Sequence, residues 1–229
     1  MDYIVEGFKH SIEMLLTFDK EIYEIILLSL KVSCIATFIS SILMIPLGVY
    51  TGITDFKFKS LFSRLVYTCM SIPSVIVGLV ISIMLTRNGP LGFMNLMYTP
   101  FVMIIAQSIL VSPLILGLTY NLSKSRGKNI KEMGITLGAN KLQIIALIIK
   151  ELKEDILINI ITAFSRAISE VGAVMVVGGN IKGYTRVMTT SIAMYNSMGD
   201  YSMAIALGIV LLLISFIINN ITYNYSMED

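Results

Sequence analysis

Charge is scarce in this chain of 229 residues. Asp, Glu, Lys and Arg make up 14% of it, where a soluble domain carries about 25%. The shortage is uneven and leaves long apolar blocks almost free of charge. With 55% hydrophobic residues, that pattern excludes an ordinary soluble fold and points to an integral membrane protein. Histidine is nearly missing. His10 stands alone, so a clustered histidine site cannot form within one chain, and no metal site is expected. The two cysteines, Cys34 and Cys69, both fall in apolar runs. They are expected to be buried as small hydrophobes, with no disulfide between them. No phosphate-binding loop of the form Gly-x4-Gly-Lys-Ser/Thr is present. Gly127-Lys128 lacks both the upstream glycine and the following hydroxyl, so the chain is not expected to hydrolyse nucleotide or to need a cofactor. The first residues are acidic and mixed rather than basic and then apolar, so no cleavable leader is expected. A net charge of +2 is too small to point to nucleic acid.

What fills the chain instead is apolar sequence in spans. A helix needs about 20 mainly apolar residues to cross a hydrocarbon core of about 30 Å. Five runs are long enough, at about 22–50, 65–86, 100–120, 156–178 and 201–222. Backbone groups must be satisfied inside the bilayer, so each run is expected to be helical. The fold class is therefore an all-α polytopic membrane protein with five transmembrane helices and a single domain over 1–229. Basic residues orient it. One set of connections carries ten Lys and Arg, including Lys57, Lys59, Arg64 and the cluster from Lys124 to Lys153. The other set carries five: Lys9, Lys20, Arg87, Lys182 and Arg186. The richer set belongs inside, which puts the N-terminus outside and the C-terminus in the cytoplasm. Residues 1–20 read as an outer interfacial segment, because Ile4, Phe8, Ile12, Leu15 and Leu16 share one helical face.

Two places carry patterned charge. Residues 124–153, between the third and fourth spans, form a basic segment holding Glu132 and then Gly138-Ala139-Asn140. Asn129 fits a helix cap with Glu132 three residues on. Gly138 offers the backbone freedom to turn into a second helix, with an apolar stripe of Leu142, Ile145, Ile148, Ile149 and Leu152 behind it. A basic amphipathic helix lying on anionic lipid is the other reading, and it leaves the spacing from Glu132 to Gly138-Ala139 unexplained. Within the fourth span, Arg166 and Glu170 lie four apart and so share a helical face. They form either a structural ion pair or a contact for an anion, since charge at membrane depth is paired or functional. Pro73 is expected to bend or break the second span. Small residues such as Ser29, Ser33, Ala36, Ser40, Ser108, Ser112 and Gly117 mark helix contacts or a polar path.

The spacing of Glu132 to Gly138-Ala139 resembles the EAA loop of ABC-importer permeases. The run from Phe164 through Arg166, Ala167, Glu170, Gly172 and Ala173 to Gly179-Asn180-Ile181, Gly183 and Thr185 is similar to the oxyanion permeases of that class, those for molybdate, tungstate and sulfate. Ser71 to Leu79 and Thr86 to Gly92 resemble the same group. Two departures stand out. Glu132-Met133-Gly134 replaces Glu-Ala-Ala, and Glu151 stands where a closing proline is usual. The stretch from Arg186 to Ile192 lacks proline, as in the tungstate branch.

The resemblance implies a permease subunit without activity of its own, importing tungstate, or else molybdate or sulfate. Its implied partners are a cytoplasmic ATP-binding subunit, an extracytoplasmic oxyanion-binding protein, a second copy of the chain and the lipid bilayer. Glu132, Gly138, Ala139 and Asn140 would contact the ATPase. Arg166, Glu170, Gly179 and Asn180 would line the path or form its ion pair. A secondary transporter would be expected to show inverted repeats, and none is visible. An intramembrane enzyme would need a nucleophile and base, or metal ligands, at depth. A structural scaffold leaves Glu132 to Ala139 without a purpose.

Overall fold

A computed structural model of the chain describes residues 9, 12, 13, 15–17 and 19–227, with no strand among them. Of the interfacial segment expected over 1–20, residues 1–8, 10, 11, 14 and 18 lie outside the described residues; of its expected apolar face, Ile12 and Leu16 are exposed and Leu15 is half-buried. Helix α1 (Lys20–Ile53) leads to a bent pair, α2 (Lys59–Met70) and α3 (Ser74–Leu85), and then to α4 (Pro100–Ser125). The short helices α5 (Gly127–Thr136) and α6 (Lys141–Glu151) precede a second bent pair, α7 (Lys153–Ile168) and α8 (Gly172–Gly178). Helices α9 (Met188–Met198) and α10 (Tyr201–Met227) complete the described chain.

By length and composition α1, α4 and α10 can each cross a membrane, and each bent pair can do so as one broken span, giving between three and five crossings. The long helices start at side-chain caps that satisfy otherwise orphaned N–H groups. Asp19 Oδ1 accepts from the Glu21 and Ile22 N–H groups, Thr99 Oγ1 from Val102, and Asp200 Oδ1 from Met203. Pro100 stands at the start of α4, where its missing N–H costs nothing.

α1 and α4 run parallel along one seam. Ser40 Oγ donates to the Ser108 carbonyl at 3.1 Å, and Ser112 Oγ donates to Ser40 Oγ at 3.2 Å. Further along, a Cβ on Gly52 would lie 2.7 Å from Ser123 Cβ, so only glycine lets the two helices approach there. The small-residue stripe is thus a helix contact at these positions. At one end of the bundle, Val49, Ile53, Ile115, Ile144, Ile148, Leu152 and Ile156 bury together and join α6 to α1, α4 and α7. At the other end, Ile22, Ile25 and Ile26 pack with Met188, Met203 and Leu207.

The breaks revise the simple picture of five straight spans. The first lies at Ser71–Pro73, where the helices bend by 90°. Pro73 caps α3 and cannot donate into a continuing helix. The second bends by 55° between α7 and α8. Arg166 and Glu170 are therefore not on one continuous helix, since α7 ends at Ile168. The cysteines also differ from expectation: both are exposed. The outward face of a span is apolar too, so an apolar run does not distinguish a thiol facing the core from one facing outward.

Candidate functional site

α5 and α6 form an elbow turned by Gly138, whose φ is +76°. The Ala139 N–H donates to the Gly134 carbonyl at 2.9 Å and the Gly138 N–H to the Ile135 carbonyl at 3.0 Å. This pair of bonds closes a helix around a left-handed residue. Asn140 then caps α6: its Oδ1 accepts from the Gln143 N–H at 3.0 Å, and Gln143 Oε1 accepts from the Asn140 N–H at 2.8 Å. The capping box expected at Asn129 and Glu132 is absent, because Gly127 continues directly from α4 through Arg126 and leaves no extended residue to act as a cap. Glu132 and Asn140 are exposed around the turn and Ala139 is half-buried. Met133, Leu137 and Leu142 are exposed as well, the last two at 80% and 78%. Leu142 therefore stands apart from the rest of the apolar stripe, and the buried positions of α6 are Ile144 and Ile148. An exposed apolar patch rimmed by polar groups is the usual form of a protein contact.

The elbow is fixed to the spans. Lys131 Nζ donates to the Ile53 carbonyl at 2.8 Å, and Lys59 Nζ donates to the carbonyls of Gly52 and Thr54 at 2.9 and 2.8 Å. Two ammonium groups thus satisfy the C-terminal end of α1, where the helix dipole favours positive charge. Lys59 also holds the Asp55 carboxyl below its ordinary range, chiefly by the hydrogen bond between them. Arg126 pairs with Asp155 at 2.8 Å across the base of the elbow.

The break between α7 and α8 is stitched by side chains. Ser169 Oγ lies within hydrogen-bond distance of the Ser165 and Arg166 carbonyls. Gln107 Nε2 of α4 donates to the Ala167 carbonyl at 3.0 Å, and Thr189 Oγ1 donates to the Glu170 carbonyl at 2.7 Å. Such replacements are what irregular backbone requires at membrane depth. The Glu170 carboxylate, 3% exposed, lies 3.4 Å from Arg166 and accepts from the Ala173 N–H at 3.1 Å. Arg166 is 48% exposed, so its guanidinium has donors turned away from Glu170. Gln107 and Thr189 were missed from sequence, although Gln107 is the lone amide in the third apolar run.

Beyond α8 the chain turns through Gly179 (φ +68°) and Asn180 (φ +51°). A Cβ on Gly179 would lie 2.7 Å from the Tyr98 ring, which adds a steric reason for glycine. Asn180 Oδ1 accepts from Thr190 Oγ1 at 2.9 Å and its Nδ2 contacts Met194 Sδ at 3.2 Å. Its side chain therefore holds the loop together rather than standing free beside Arg166. Thr185 Oγ1 closes the same loop by donating to the Gly178 carbonyl at 2.6 Å. The loop is tied to the start of α1 through Glu21, which pairs with Lys182 and Arg186 and accepts from Tyr195 Oη at 2.6 Å. Burial, and then the adjacent Glu21 carboxylate, pushes the Tyr195 phenol up to about 12, so it stays protonated as the donor. No metal-ligand cluster occurs among the described residues.

The elbow and this Glu21 cluster lie at opposite ends of α1, whose 34 residues span about 51 Å at 1.5 Å per residue. The chain matches the family described as binding-protein-dependent transport system inner membrane component over residues 44–226. It is similar to the tungstate uptake system permease protein of Peptoclostridium acidaminophilum, 63% identical over 228 residues and 100% of each chain. The tungstate uptake system permease protein of Campylobacter jejuni is 34% identical over 223 residues, covering 97% of this chain and 93% of that one. A sulfate transport system permease protein of Salmonella typhimurium is 25% identical over 199 residues, covering 82% and 72%.

Proposed function

The chain belongs to the binding-protein-dependent transport system inner membrane components, and from that premise we propose that it is the membrane-spanning permease subunit of an ATP-driven tungstate importer. The observation that carries this reading is the 63% identity to a tungstate uptake permease along the whole of both chains. In this reading residues 1–229 are one permease domain, and each bent pair is a single span, which makes five. The N-terminus is outside, the C-terminus is cytoplasmic, and two copies form the working unit.

A separate ATP-binding subunit grips the elbow at Glu132, Gly138, Ala139 and Asn140. An extracytoplasmic oxyanion-binding protein delivers the anion at the opposite end. Because α6 shares one buried cluster with α1, α4 and α7, a push on the elbow moves those helices as a packed body rather than bending a loose loop. Movement of the elbows with the ATPase then exchanges outward for inward opening. The broken span lines the path, with the exposed donors of Arg166 offered to the passing dianion while Glu170 moderates its charge. Gly179 and Asn180 shape the loop that supports this span. Tight holding is not required, since conduction needs the ion to leave, so selection between tungstate and molybdate falls mainly to the binding protein.

The test is reconstitution. Vesicles holding the permease, its ATPase and the loaded binding protein should accumulate tungstate only with ATP. Accumulation by the permease alone on an ion gradient would overturn the reading in favour of a secondary transporter. Calorimetry of the binding protein with tungstate, molybdate and sulfate separates the three substrates.

A further inference from the structure

Lys31 lies on α1 about 16 Å from its N-terminal end, inside a helix apolar enough to cross a membrane. It is exposed and has no ion-pair or hydrogen-bond partner among the described residues. An ammonium group placed there is costly and needs an anion or a route to the interface. Lys31 lines a cleft of about 680 Å³ together with Lys20, Lys182 and Arg186. The acids in that cleft are already engaged. Asp19 caps α1, Glu21 holds Lys182 and Arg186, and Glu24 lies 3.8 Å from Lys20. Arg186 lines the cleft with a side chain only 13% exposed. The cleft thus keeps a positive excess, with Lys31 as its uncompensated member.

The same stripe of α1 continues past the cleft. Leu27, Lys31, Cys34, Phe38 and Ile42 follow at helical spacing and are all exposed. Cys34, Phe38 and Ile42 line a second groove, of about 720 Å³, closed on its far side by Ile161 and Phe164 of α7. Cys34 to Ile42 measures about 12 Å along the axis, comparable to much of one acyl chain. A cationic cleft followed along the same helix face by an apolar groove matches an amphiphile with an anionic head. A transported oxyanion shares the head chemistry and has nothing to fill the groove.

We propose that this cleft and groove bind one anionic phospholipid of the outer leaflet, its phosphate held by Lys31, Lys182 and Arg186 and an acyl chain laid over Cys34, Phe38 and Ile42. The choice of leaflet rests on the orientation given under the proposed function. The binding measurement does not involve transport, so a failure of either reading is seen separately.

Purified full-length permease in mild detergent, stripped of lipid, is titrated with phosphatidylglycerol or phosphatidylcholine and followed by native mass spectrometry. One phosphatidylglycerol per chain is expected, preferred over phosphatidylcholine by about fivefold or more, the scale of one basic residue at an anionic surface. Lys31→Gln should remove that preference, and Phe38→Ala should weaken both lipids. Millimolar tungstate should displace neither. Equal retention of the two lipids, or an unchanged preference in Lys31→Gln, overturns the proposal. Displacement by tungstate overturns it too and gives the cleft to the free ion. Retention of a second permease chain in place of lipid assigns the groove to a dimer contact and does the same. If Lys31→Gln fails to fold, the comparison of lipids and the tungstate competition on the unaltered chain still decide.

Discussion

Gly138 holds the elbow through one backbone angle. Nothing lies within 4 Å of a Cβ built there, so a side chain has room, and the penalty of substitution is confined to its left-handed φ. For an ordinary L-residue that penalty is about 1–2 kcal/mol, while Asn adopts the region readily. Gly138→Val should therefore insert into the membrane at normal abundance and co-purify poorly with the ATPase, whereas Gly138→Asn should co-purify nearly as the parent does. Equal recovery of the ATPase with both variants would show that the conformation of the turn is not what the partner reads. At Arg166 the asymmetry of exposure separates two roles. Arg166→Ala leaves the buried Glu170 carboxylate with only the Ala173 N–H among its named partners, and uptake should fall by about tenfold or more, ~1.4 kcal/mol or more in barrier terms. Removing both charges, as Arg166→Ala with Glu170→Ala, should restore protein abundance but not uptake if the exposed donors touch the anion. Restored uptake in the double variant would leave the pair purely structural.

At the scale of elements, α6 depends on its cap. Asn140→Ala removes the acceptor for the Gln143 N–H and should cost about 1 kcal/mol. Hydrogen exchange of the first α6 amides should quicken by about fivefold, and Asn140→Ser should restore protection. Unchanged exchange would mean that packing of Ile144 and Ile148 holds the helix without the cap. The spacing of Asn129 and Glu132 suggested one box, and the structure forms another, at Asn140 with Gln143, that fits the same pattern. Only the second follows a non-helical residue, which is visible once α5 is seen to continue from α4. The first break was legible because Pro73 marks it. The second has no proline, and the carbonyls freed from the helix find Gln107, Ser169 and Thr189, partners brought together only by folding. The Glu21 cluster was illegible for the same reason, since Glu21 and Arg186 are 165 residues apart. Lys31 carries no signal of this kind, because basic residues orient a chain through its connections and a lysine within a span lies outside that balance.

For the whole molecule, orientation follows from an imbalance of basic residues together with the length of α1. Lys59, Lys131 and Lys124 gather near the C-terminal end of α1, close to the elbow, and Lys20 and Lys182 at its other end. A helix of about 51 Å exceeds the hydrocarbon thickness of about 30 Å, so its two ends lie on opposite sides of a bilayer if it crosses. The larger basic group should face the cytoplasm. Leu137 on the elbow and Phe93 in the loop after α3 are 80% and 78% exposed, which makes each a clean reporter. In a background with Cys34→Ser and Cys69→Ser, Phe93→Cys should react with a membrane-impermeant maleimide in intact cells, and Leu137→Cys only in inverted vesicles. The docked ATPase should then protect Leu137→Cys and leave Phe93→Cys reactive. Labelling of Leu137→Cys from outside would place the elbow beyond the reach of any cytoplasmic ATPase and would remove the basis for coupling it to transport.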